Sequence, residues 1–281
     1  MLDLDRCVSL LAAAGIPSVI EKADLIDPAK VAIRLADGQG FVKLAMHPHA
    51  NALMHREVAA YAGAPPCTPF RRPRLLGSHD HGDWGAIWLT FEPGRVLTRW
   101  NALSPRPGPY EAAPSGLLPV RAILHDPLPP RFETHRLRLH DRFADEPVRC
   151  GPIHGDFVYW NVLDGPDGPV LLDYEYFEPQ VPSSQDRLQW TLLPLLRRAA
   201  IWGTVPAALA GPALVPLAAL LLPRGTTRPA LELALFLLRY ATRLEEQQAE
   251  PGIADLYARP TRRIRQRLLA LIDGILEKVV P

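Results

Sequence analysis

The two ends of the chain follow different periodicities, and that split limits the possible folds more than any other feature. Over roughly the first ninety residues, "SVIEKADLI", "KVAIRLADGQGFVKLAM" and "WGAIWLTFE" alternate or run apolar in the manner of strands. The "DGQG" at Asp37 to Gly40 predicts a hairpin turn between two of them. "LDRCVSLLAAAG" reads as a short amphipathic helix stopped by Gly15. "HANALMHREVAAYAGA" reads as a helix between strands, with Ala52, His55, Val58 and Ala59 at helical spacing. After "FEPG" the character changes. Residues 95–150 are rich in Pro and Arg, with helices predicted over Leu117 to His125 and Phe132 to Phe143. Beyond Pro182 the chain is helical, over Arg187 to Ala200, Ala230 to Gln248 and Thr261 to Val279. Strands followed by helices predict an α+β chain with two lobes. Residues 1–91 form an antiparallel sheet lobe with one helix laid across it, and residues 92–281 a larger helical lobe. A cleft between such lobes is where a ligand is expected.

The totals set outer bounds. A chain of 281 residues with 48% hydrophobic and 22% charged residues has the composition of a globular protein with a sizeable core. A net charge of +1 supplies no broad basic field, so no nucleic-acid partner is expected. Only Lys22, Lys30, Lys43 and Lys278 are lysines, against 27 arginines, which makes a lysine inside an apolar strand notable. Three widely spaced cysteines without a CxxC fit free thiols in a reducing compartment, and the acidic N-terminus "MLDLD" lacks the basic start of a signal peptide. A cytoplasmic location is the expectation. The uncharged run from Ala199 to Pro223 is long enough to span a bilayer. Pro206, Pro212, Pro216, Gly203 and Gly211 would break one helix into pieces, so buried core is expected there, not a membrane.

"IHGDFVYWNVLDGPDGPVLLDYEYFEP", from Ile153 to Pro179, concentrates the chemistry. Two short strands around "DGPDGP" would return Asp173 beside Asn161 and Asp156. Two carboxylates and an amide oxygen are the hard ligands that suit Mg²⁺, which fills its shell with water and substrate phosphates. One carboxylate and the asparagine suffice for the metal. The other is then left to orient a hydroxyl and accept its proton, the division of labour that phosphoryl transfer uses.

"HGDFVYWN" followed by "LLDYE" resembles the H-G-D-x4-N and D-[WY]-E motifs of the aminoglycoside phosphotransferase and choline kinase-like family. The resemblance implies a two-lobed protein-kinase-like fold and transfer of the γ-phosphate of ATP (or GTP) to a hydroxyl of a small molecule, with residues 1–91 as the nucleotide-binding lobe. It implies Asp156 as the catalytic aspartate and Asn161 and Asp173 as Mg²⁺ ligands. It assigns Lys43 in "GFVKLA" to the phosphates, Glu57 on the following helix to holding Lys43, and "WLTFEPG" around Phe91 and Glu92 to the adenine-binding hinge. His154 and Asp186 would support the catalytic loop. Tyr159, Trp160, Glu175 and Glu178 are left as contacts to the acceptor. The hairpin "EKADLIDPAKVAIRLA" departs from protein kinases in containing no glycine.

Other readings compete at single positions. His47, His49, His55, His79 and His81 tempt a zinc reading, but no further ligand pattern accompanies them, and "GSHDHGDWG" reads as a polar hairpin turn. From Pro182 onward eight acids face thirteen Arg and Lys, which argues against a polycationic acceptor and for a neutral or anionic hydroxylated one. The rival to an enzyme is a nucleotide-binding module of pseudokinase type. Intact Lys43, Asp156, Asn161 and Asp173 count against it.

Overall fold

The computed structural model describes residues 3–27, 29–98, 109–110, 113, 115–203, 213–222, 226, 228–249 and 259–280. The chain divides into two compact units, Met1–Thr98 with Tyr159–Phe177, and Arg99–Val158 with Glu178–Pro281. The hairpin that carries Asn161 and Asp173 therefore belongs with the N-terminal sheet.

In the first unit, helix α1 (Leu4–Ala13) precedes β1 (Ile20–Asp27), β2 (Lys30–Leu35), β3 (Phe41–Ala45), helix α2 (Pro48–Gly63), β4 (Leu75–Asp80) and β5 (Gly85–Leu89). These strands make one antiparallel sheet in the order β1-β2-β3-β5-β4. Period-two alternation sorts its faces. Val31, Ile33, Leu35, Val42 and Leu44 are buried with Cys7, Leu11 and Ile16, so α1 seals one face. Asp3 caps α1 by accepting from the Arg6 N–H at 3.0 Å, and Gly15 turns the chain with φ +68°.

Two helices thus serve this sheet, where the sequence led to one laid across it. α2 packs against β3, β4 and β5. Its buried stripe is Ala50, Leu53, Met54, Glu57, Ala60 and Tyr61, while Ala52, His55 and Ala59 face solvent. Small residues on both sides of the helix hide which face is apolar, and contact with the sheet decides it. Gly85 permits the approach: a Cβ there would lie 2.0 Å from Asn51 Oδ1. The short β6 (Arg95–Val96) pairs with β9 (Val162–Gly165), itself paired with β10 (Gly168–Leu171).

The second unit contains a sheet that periodicity did not reveal. β7 (Gly116–Pro119), β8 (Pro147–Ile153) and β11 (Glu178–Pro182) pair antiparallel with β8 in the middle. The helix predicted over Leu117 to His125 accordingly begins as strand through Pro119, with helix α3 confined to Val120–Ile123. The other helical expectations are met by α4 (Pro130–Phe143), α5 (Gln185–Trp202), α7 (Pro229–Ala249) and α8 (Arg259–Val279), with α6 (Leu214–Leu221) between. α7 is buried nearly all round, through Leu231, Leu233, Ala234, Leu235, Phe236, Leu237 and Leu238, and packs on α4, α5, α6 and α8.

Of the apolar run 199–223, residues 204–212 and 223 lie outside the described residues. α5 ends at Gly203, with φ +70°, and Leu214 and Ala218 of α6 are buried. Among the described residues no helix is long and apolar enough to cross a membrane. The three cysteines are buried and form no disulfide.

Candidate active site

Within the first unit, a lysine and two carboxylates meet. Lys43 stands on the face of β3 opposite the α1 core, because Val42 and Leu44 point the other way. Its ammonium donates to both oxygens of Glu57 at 2.8 Å and to Asp173 Oδ1 at 2.7 Å. Glu57, from the buried stripe of α2, also accepts the Tyr174 N–H at 3.2 Å, so one side chain fixes the lysine and the backbone beside Asp173. Burial alone would lower the Lys43 pKa. The charges of Asp173 and Glu57 outweigh it and hold the ammonium above the ordinary lysine value. Burial raises the Glu57 pKa and Lys43 opposes the rise.

Asp173 and Asn161 are brought together by the hairpin. Leu171 pairs with Val162, and the Leu172 N–H donates to the Asn161 carbonyl at 2.8 Å. The ladder ends there, and Asp173 takes φ +68°, the one positive φ on a non-glycine among the described residues. Such a conformation costs roughly 1–3 kcal/mol and persists where neighbours enforce it. Here Lys43 and the Glu57 contact to Tyr174 do so. Among the described residues no group of three or more His, Cys, Asp or Glu could hold a metal ion. One carboxylate and one amide oxygen still fit a Mg²⁺ whose remaining ligands are water and phosphate oxygens.

Further acids and aromatics of this unit have defined surroundings. Glu175 is buried and ion-paired to Lys30, the first residue of β2. Burial and repulsion from Asp173 raise its pKa to about 7, against the pull of Lys30. Tyr159 and Trp160 are half-buried and meet edge to face, with centroids 4.8 Å apart. In the expected hinge, Phe91 lies under the Arg34 guanidinium at 4.3 Å, and Glu92 pairs with Arg71 and accepts from Thr90 Oγ1 at 3.0 Å. The histidines serve the fold. His47 Nδ1 accepts the His49 N–H at 3.2 Å, His55 pairs with Asp80 at 3.1 Å, and His79 and His81 stack with Trp84.

Within the second unit, the loop His154–Val158 follows β8 and rests on one face of α5. Asp186 accepts the His154 and Gly155 N–H groups at 2.7 and 2.9 Å, one on each oxygen. One turn on, Gln189 Nε2 donates to Asp156 Oδ1 at 2.8 Å, and Trp190 stacks on Phe157 at 4.6 Å. Positions i, i+3 and i+4 of "DRLQW" thus hold successive residues of the loop. His154 Nδ1 accepts the Asp156 N–H at 3.2 Å, which gives the imidazole a bracing part. From α7, Arg243 donates to the Gly155 carbonyl at 2.5 Å and brings its Nη2 to 3.6 Å from Asp156 Oδ1. Glu178, on β11, pairs with Arg239. Sequence reasoning missed Lys30, Gln189 and Arg243. Helical spacing from Asp186 could have found Gln189, whereas nothing local marks the other two.

Asp186 also carries a testable pH dependence. Burial, opposed by the two main-chain N–H bonds, raises its pKa to about 7 from an ordinary 3.8. The folded chain then binds a proton more tightly than the unfolded chain, so this group's contribution to stability falls as pH rises from about 4 to about 7. Relative to Asp186→Asn, the wild-type urea midpoint is expected to drop between about pH 5 and about pH 8. The linked change is at most on the order of 4 kcal/mol. The variant should be the less stable at high pH too, since its amide NH₂ would confront a main-chain N–H. Parallel pH dependences in the two proteins would refute the assignment.

No family model matches the sequence, and no curated protein matches it at the sequence level. Solved structures do match. The chain is similar to a thermostable mutant of aminoglycoside phosphotransferase APH(4)-Ia in ternary complex with ADP and hygromycin B. The likeness has 13% identity and a TM-score of 0.54, and covers 95% of this chain and 97% of that one. A second mutant of that enzyme, in complex with AMP-PNP and hygromycin B, gives 12% identity and a TM-score of 0.53 over 95% and 97%. The chain therefore has the α+β, protein-kinase-like fold of an aminoglycoside phosphotransferase.

Proposed function

We propose that the protein is a small-molecule O-phosphotransferase, moving the γ-phosphate of ATP (or GTP) to an alcohol of a hydroxylated metabolite or antibiotic. The observation that carries this reading is Lys43, held at 2.7–2.8 Å by Glu57 and Asp173 on the hairpin that also bears Asn161. That a kinase-like relative was captured with ADP or AMP-PNP and hygromycin B supports it. Lys43 grips non-bridging phosphate oxygens, Glu57 positions it, and the main chain around Phe91 and Glu92 receives the base. Asn161 and Asp173 would hold Mg²⁺, which when bound would neutralise charge on the phosphates. Asp156, oriented by Gln189, accepts the hydroxyl proton as the acceptor oxygen bonds to the γ-phosphorus. The bond from that phosphorus to the β–γ bridging oxygen breaks, and the nucleoside diphosphate leaves.

A neutral or anionic acceptor is favoured over a polycation. Near Asp156 the second unit presents the Arg243 guanidinium, and three of its acids are engaged elsewhere, Glu178 with Arg239, Glu232 with Ser184 and Asp273 with His135. Tyr159 and Trp160 remain acceptor contacts in this reading. Three thiols that form no disulfide are in keeping with a cytoplasmic setting.

The test is incubation with Mg-ATP or Mg-GTP and a panel of nucleosides, sugars, amino-sugar natural products, choline-like amines and aminoglycosides. Products heavier by one phosphate are expected from neutral or anionic members of the panel. Nucleotide binding with no phosphorylated acceptor and no Asp156-dependent hydrolysis would favour the pseudokinase-type module instead.

A further inference from the structure

A feature of the sheet outside the family motifs bears on how the phosphates are held. β2 and β3 pair with Ala32 opposite Lys43 and Lys30 opposite Ala45. Residues two apart on a strand share a face, so Lys30 and Lys43 are diagonal neighbours on the face turned away from α1. Both are bound by the same short segment, Lys43 by Asp173 and Lys30 by Glu175. Two of the four lysines in an arginine-rich chain therefore form two rungs against "DYE".

We propose that Lys30 is a second phosphate-binding lysine, held ready by Glu175, which supplies the charge neutralisation that a glycine-rich loop gives through its main chain. This rests on the phosphotransferase reading above. The β1–β2 connection offers little else. It contains no glycine to let main chain approach an anion, and its Pro28 has no N–H. Lys30 follows that connection directly, pairing with Asp27 across it. Its side chain is 14% exposed, so it is enclosed without being sealed off. An ammonium has three N–H donors, and Glu175 takes one, so the same group can hold Glu175 and a phosphate oxygen together. Burial would lower the Lys30 pKa, but Glu175 and then Asp173 hold it above the ordinary value, so the charge is present at neutral pH. Lys30 and Lys43 face Glu57, Asp173 and Glu175 in this unit, a cluster with a formal charge of −1 before any cation joins it.

The experiment measures binding of Mg-ATP, Mg-GTP, adenosine and guanosine by calorimetry to the full chain and three variants. Lys30→Met is expected to weaken the triphosphate roughly 10- to 100-fold and leave the nucleoside unchanged, collapsing the ratio of the two affinities. Because Lys30→Met strands a buried carboxylate, Lys30→Met with Glu175→Gln serves as the charge-neutral control. It should melt near the wild type and show the same collapsed ratio. Glu175→Gln alone keeps the Lys30 charge but weakens its hold, so its ratio should fall between those of the wild type and the double variant. A folded double variant that binds Mg-ATP as tightly as the wild type would overturn the proposal and leave the phosphotransferase reading standing. A wild type that binds none of the four would overturn both.

Discussion

Phosphoryl transfer by Asp156→Asn is expected to fall on the order of 10²- to 10⁴-fold, with nucleotide affinity nearly unchanged. The substitution keeps Oδ1 as an acceptor for Gln189 Nε2, now at 2.8 Å, and leaves the His154 and Gly155 contacts to Asp186 untouched. The loop therefore retains its shape. What disappears is the negative charge that faces Arg243 at 3.6 Å and that, in the proposed mechanism, draws off the hydroxyl proton. The loss should lie in kcat and not in KM for nucleotide, since Asp156 is assigned no phosphate contact. Product mass and single-turnover rates measure it. A variant as active as the wild type would remove Asp156 from the mechanism.

Lys43→Met should be damaging in two separable ways. The lysine neutralises Glu57 and Asp173, whose side chains are 2% and 29% exposed. Removing one partner from a buried ion pair leaves an uncompensated charge and costs about 3–5 kcal/mol. Glu57, already raised by burial, would then tend to take up a proton. The variant should accordingly gain stability relative to wild type as pH falls, because its folded state binds a proton the unfolded state lacks. Adding Glu57→Gln should restore much of the stability and none of the activity, since no cation would return to the phosphates. Urea unfolding at about pH 5.5 and about pH 8 separates the effects. A Lys43→Met protein as stable as wild type at both values would show the cluster to be dispensable for folding.

Legibility varied with how local the determinant was. The hairpin carrying Asn161 and Asp173 was readable because turn residues and two short apolar runs encode it within about fifteen residues. α7 was readable because an apolar run of this length bounded by charges has few alternatives to a buried helix. β7, β8 and β11 were not, since each is short, bears proline and finds its partners far along the chain. The buried stripe of α2 was not legible because alanines occur all round that helix, so only the sheet beneath it tells Glu57 from Ala59.

By itself the sequence determined which residue types can do chemistry, and at what separations along the chain. "HGDFVYWN" and "LLDYE" place Asp156, Asn161 and Asp173 in a fixed covalent order, and the strand and helix patterns set the α+β class. Tertiary structure alone decided which side chains those residues meet. Glu57 reaches Lys43 because Gly85 lets α2 close on the sheet, and Lys30 reaches Glu175 because β2 and β3 pair in one register. Gln189 reaches Asp156 because α5 turns that face to the loop. Such pairings span up to 145 residues, as between Lys30 and Glu175. Periodicity reports only a residue's near neighbours, so partners that distant emerge from packing.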